Sequence, residues 1–180
     1  MELKKWAKIL LASYSVFETM AGVLDKYIET RALNSMKSTL LTAESNSATR
    51  VCHDLGIMMV RKIDIINLKV LIDNGLDSML PKYARALILK YFDGLTSAEI
   101  AETMEISVRS VARYQELGIE SLANYFRNLG YDAKKLYKLC GSNSCFLDFH
   151  EDPLLFKVYE FSKHKVIKAH LASMVLERMF

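Results

Sequence analysis

A chain of 180 residues can hold one domain of ordinary size or two small ones. Its residues are 51% hydrophobic, and only two prolines and seven glycines punctuate it, which excludes a disordered chain and points to an all-α fold with ample core material. The net charge of +3 is milder than a non-specific nucleic-acid binder usually carries, and three cysteines (Cys52, Cys140 and Cys145) are too few and too scattered for a disulfide framework.

Lys4 and Lys5 precede an apolar stretch, as in a signal peptide, but Ser13, Tyr14, Ser15 and Glu18 interrupt it. No uninterrupted apolar run approaches the roughly 20 residues a bilayer span needs. Neither a signal peptide nor membrane contact is expected, and the cytoplasm is the default location.

The first predicted helix covers residues 3–31. Leu3, Leu10, Phe17 and Leu24 recur every seven residues, with Trp6, Tyr14 and Met20 beside them, a wide apolar stripe for packing in a hairpin or a dimer. Residues 34–47 are rich in serine and threonine and read as a loop. A second long helix is predicted over 48–76, with Val51, Leu55, Met58, Met59, Ile66, Val70 and Leu76 on one face and Asn74-Gly75 marking a break near its end. Together they predict a helical hairpin over residues 1–79, suited to dimerisation or partner contact.

Shorter units follow. PKYARALILKYFDG, from Pro81, reads as a helix with proline in its first turn and Asp93-Gly94 as its stop. Thr96 is placed to cap the next helix, with Glu99 three residues on in the reciprocal capping-box spacing. Ser107 caps a third, which runs to about residue 129 before Gly130. A short helix over 133–139, a GSNS loop and a last helix over 153–180 complete the chain. The predicted divisions are 1–79, 80–130 and 131–180.

Two short helices separated by a tight turn read as a helix-turn-helix. Ile100, Ala101, Ile106, Val108 and Val111 are the apolar residues expected to meet at its corner. Arg109, Ser110, Ala112 and Arg113 are expected on the outer face of the second helix, whose first turns enter the major groove in this motif. Arginine there can grip guanine edges or phosphates, and serine can bond to either.

The stretch ARALILKYFDGLTSAEIAETMEISVRSVARY resembles the C-terminal promoter-binding domain of bacterial sigma factors, region four, over residues 80–122. The resemblance implies that Thr96, Ser97, Glu99 and Arg85 lie near the DNA backbone. It implies a groove-facing set of Ser107, Arg109, Ser110 and Arg113, with Tyr114 beside a phosphate. No region two, the part that melts promoter DNA, is recognisable. The chain departs from the family pattern at Glu105 (usually glycine), at Gln115 (usually an inward leucine) and at Gly118 inside a helix. A left-handed non-glycine residue and a mid-helix glycine each cost about 1 kcal/mol.

Between residues 80 and 130 six basic and six acidic side chains cancel, so a lone copy is expected to bind DNA weakly and with steep salt dependence. A homodimer through the N-terminal helices, or RNA polymerase as partner, would supply the missing affinity. The function expected is that of a DNA-binding transcription regulator or truncated sigma-like factor acting on duplex DNA. The alternative is a protein-interaction module that keeps the helix-turn-helix shape and binds RNA polymerase or another factor. RNA association through the same face ranks third.

The remaining candidates fit structural roles. Cys140 and Cys145 with His150 and His164 lack a second close ligand pair, so no zinc site and no cofactor is expected. Lys163, His164, Lys165, Lys168 and His170 read as a solvated helix face. No glycine-rich phosphate loop, nucleophile elbow or metalloprotease signature is present, and no enzymatic activity is expected.

Overall fold

A computed structural model of the protein describes residues 2–41, 45–141, 147, 150 and 151, with backbone alone over 36–41 and 45–48. The described residues form six helices and no strand: α1 (Glu2–Leu41), α2 (Ser45–Asp77), α3 (Pro81–Tyr91), α4 (Ser97–Met104), α5 (Val108–Asn128) and α6 (Ala133–Cys140). The expected all-α class is the observed one. The helix expected over 153–180 lies outside the described residues, as do Cys145, His164 and His170.

One expected loop is helix instead. α1 continues past Arg31 to Leu41, and α2 begins at Ser45, so most of the serine- and threonine-rich stretch is helical. No glycine or proline occurs between Gly22 and Gly56. Serine and threonine cost only about half a kcal/mol each relative to alanine, too little to stop a helix that a long apolar stripe supports. Asn74-Gly75 likewise makes no break, because α2 continues to Asp77.

α1 and α2 run antiparallel. Arg31 meets Asp54 at 3.6 Å, Asp25 meets Lys62, Glu18 meets Lys69 at 2.7 Å, and the Tyr14 hydroxyl donates to Asp73 at 2.5 Å. Partner numbers fall along one helix as they rise along the other. Such half-exposed pairs contribute little stability and chiefly record the register. The stabilising term is burial: Trp6, Leu10, Phe17 and Leu24 join Ile65, Leu68 and Ile72, and the same cluster takes in Leu87, Phe126 and Leu136 from α3, α5 and α6.

The expectation that nothing here could span a bilayer needs correcting for composition. Over Glu2–Ser35, α1 reaches a mean hydropathy of 1.3 across an 18-residue stretch, long and apolar enough to cross a membrane by those measures alone. Ser13, Tyr14 and Ser15 interrupt the apolar run without lowering its mean far. Of that stretch, 56% is buried inside the protein.

Two glycines set how closely α5 sits against the body. A Cβ at Gly75 of α2 would lie 2.4 Å from Leu122 Cδ1, and one at Gly118 of α5 would lie 2.8 Å from Leu87 Cδ1. At both places a side chain would have to displace the facing leucine. The mid-helix glycine that looked like a departure from pattern is therefore the contact point between α3 and α5.

Candidate nucleic-acid interface

α4 is built from its ends. Thr96 Oγ1 accepts from the Glu99 backbone N–H at 3.3 Å, and the Glu99 carboxylate accepts from the Thr96 N–H at 2.7 Å, completing the capping box. At the other end Glu105 takes a left-handed conformation, φ 54° and ψ 42°. The Ile106 N–H donates to the Ala101 carbonyl at 2.9 Å and the Glu105 N–H to the Glu102 carbonyl at 3.2 Å, the bonding pattern of a Schellman close. Two residues later α5 begins with Ser107 as its cap, its hydroxyl accepting from the Ser110 N–H at 3.1 Å.

The corner between these helices is a small apolar cluster of its own. Ile100, Ala101 and Val111 are buried in it, with Leu89, Leu95, Met104 and Ile106 packed around them. Val108, expected inside, is 51% exposed. It is the first residue of α5, and the turn delivers that position to solvent while Val111, three residues on, takes the inward place.

The outward face carries the expected arginines. Arg109 and Arg113 are both exposed, one helical turn apart, and neither makes an ion pair or hydrogen bond among the described residues. Ser110 is half-buried, its hydroxyl 2.9 Å from that of Ser107, so these two serines are partly occupied with each other. Thr96 and Ser97 are exposed at the start of α4, and Arg85 is exposed on α3. No bond joins those three to the α5 group among the described residues.

Tyr114 is half-buried against Tyr83 of α3, ring centroids 5.6 Å apart. The Lys82 ammonium lies 5.3 Å from the Tyr83 ring centre and 5.4 Å from that of Tyr114. This cation over two aromatic faces adds Lys82 to the surface beside the first turns of α5. The sequence reading missed it, since the pairing of α3 with α5 is invisible in a linear pattern. The lysine-tyrosine adjacency was the one available signal.

Some acids that cancelled this charge on paper are already engaged. The Glu99 carboxylate serves the capping box, and Glu120 pairs with Lys4 of α1 at 3.1 Å. Glu116 is exposed one turn beyond Arg113 and makes no ion pair with it among the described residues. The first two turns of α5 thus project cationic groups from a frame whose C-terminal half, Ile119, Leu122, Ala123 and Phe126, is buried in the body. Such an arrangement can approach a phosphate-lined groove or an acidic protein surface.

No curated protein and no solved structure matches the chain. The profile of one family does: residues 69–118, from the last turns of α2 to Gly118 of α5, are similar to the family described as Sigma-70, region 4.

Proposed function

We propose that the protein is a DNA-binding transcription regulator or truncated sigma-like factor that lays the first turns of α5 in the major groove. The observation that carries this reading is the pair Arg109 and Arg113, exposed on consecutive turns and free of internal partners among the described residues. Ser97, Thr96 and Arg85 would flank it along the backbone, with Lys82 and Tyr114 beside it. Exposed Val108 offers an apolar contact of the kind that reads a thymine methyl. RNA polymerase is the partner that a site of balanced charge would need.

The test is binding to a sequence selected from a random duplex pool. Arg109→Ala and Arg113→Ala should each weaken binding by about 1–3 kcal/mol, with the helical circular dichroism unchanged. Full affinity in a folded double variant would rule out groove insertion.

Exposed Glu116 and the even charge balance favour a second reading, a protein-binding module of the same shape. Recovery of RNA polymerase from a lysate without any salt-sensitive binding to duplex DNA would select it.

A further inference from the structure

α2 is apolar on two opposite faces rather than the one expected: Met58 and Leu76 turn inward, while Met59, Ile66 and Val70 turn outward. Met58, Ile65, Leu68 and Ile72 are buried against α1 and the core. The other face carries Cys52, Gly56, Met59, Ile63, Ile66 and Val70, spaced alternately four and three residues apart. That is the spacing of a coiled-coil seam, and it is sustained for about 27 Å of helix. Its four large members are 43–56% exposed, and Ile57 and Val60 beside them are 40% and 55% exposed. The seam holds no charged residue until Asp73, which Tyr14 engages. An exposed apolar stripe of this length marks an interaction surface.

We propose that this seam pairs with the same seam of a second copy of the chain, the two α2 helices crossing antiparallel about a two-fold axis between Met59 and Ile63. Three observations select a second copy as occupant. The charges flanking the seam are neutralised within the hairpin, Lys62 by Asp25 and Lys69 by Glu18, so nothing calls for a partner of opposite sign. The exposed apolar surface amounts to roughly 500 Å² per protomer, so two copies bring together about 1,000 Å², the least that a specific interface should bury.

Side-chain size also matches end for end. Antiparallel pairing sets Gly56, whose surroundings are open, opposite Ile66, and sets exposed Cys52 opposite Val70. A parallel pair would instead stack Gly56 on Gly56 and leave a void at that layer. A groove of about 320 Å³ bordering Phe17, Ala21, Ile66 and Val70 gives the partner's side chains somewhere to insert.

The experiment is sedimentation equilibrium of the full chain at micromolar concentration, without nucleic acid, so its outcome is independent of the DNA reading. The expected mass is twice the 20.6 kDa of one chain, falling to one chain in Ile63→Glu with helical content unchanged. Val70→Cys should give a covalent dimer on addition of a thiol oxidant, with the bridge mapped by mass spectrometry between Cys52 and the introduced thiol. Unsubstituted protein should give no Cys52-to-Cys52 bridge. A monomeric full chain overturns the proposal and assigns the seam to the chain's own residues 153–180 or to a different protein. A dimer indifferent to Ile63→Glu overturns it as well, and a Cys52-to-Cys52 bridge overturns the antiparallel arrangement.

Discussion

Gln115 is buried, and its amide nitrogen has no hydrogen-bond partner among the described residues. An unsatisfied buried donor costs about 1–3 kcal/mol, so Gln115→Leu should raise the unfolding free energy by about 1 kcal/mol in a denaturant titration. A loss of stability would mean that the amide finds a partner after all. His150 stacks on Trp6 at 4.5 Å while Lys5 donates to its backbone carbonyl. Burial, seconded by the Lys5 charge, lowers the imidazole pKa below its usual value. A histidine held neutral in this way stabilises its contact above the unfolded pKa of about 6.5 and loses that contribution as pH falls through the lower folded value. Trp6 is the only tryptophan, so its emission should change with a midpoint below 6.5, and His150→Gln should abolish that transition.

Among the elements, those at the centre of the chain were the most legible. Thr96 with Glu99, Ser107 and Asp93-Gly94 are local signals whose partners lie within five residues, and each stands at its expected place. Local chemistry misled where a tertiary term outweighed it. The serine-rich stretch after Arg31 carries a small propensity cost that helix continuity absorbs. Val108 was assigned inward because a periodic pattern does not state the angle at which a turn releases its helix. The Lys82, Tyr83 and Tyr114 cluster depends on α3 meeting α5, information carried by no short window. Gly118 had been read as a cost, although a close helix crossing is a common reason for such a glycine. Replacing it tests that explanation: Gly118→Leu must push Leu87 and the Tyr83 backbone aside and should destabilise by about 2–3 kcal/mol. An unchanged melting temperature would show that α3 can retreat at no cost.

For the molecule as a whole, the main apolar cluster passes without interruption through α1, α2, α3, α5 and α6. Divisions near residues 79 and 130 were expected from the change of texture along the sequence. With a shared core, thermal unfolding followed by Trp6 emission and by far-ultraviolet circular dichroism should give one coincident transition. Two resolved transitions would instead show that those divisions unfold as separate units. The same core accounts for the apolar character of α1, whose buried Trp6, Leu10, Phe17 and Leu24 face neighbouring helices.

Because α5 is one unbroken rod of 21 residues, held by close glycine contacts from its midpoint onward and by Val111 nearer its start, it works as a lever pivoted in the body. Over the roughly 15 Å from Gly118 to the first residue of α5, each degree of tilt at the pivot displaces the tip by roughly a quarter of an ångström. Anything that wedges α2 or α3 away from Gly75 or Gly118 therefore re-aims the two guanidinium groups by a distance comparable to a hydrogen bond's tolerance. Distant packing and the aim of the exposed arginines are set by the same hinge.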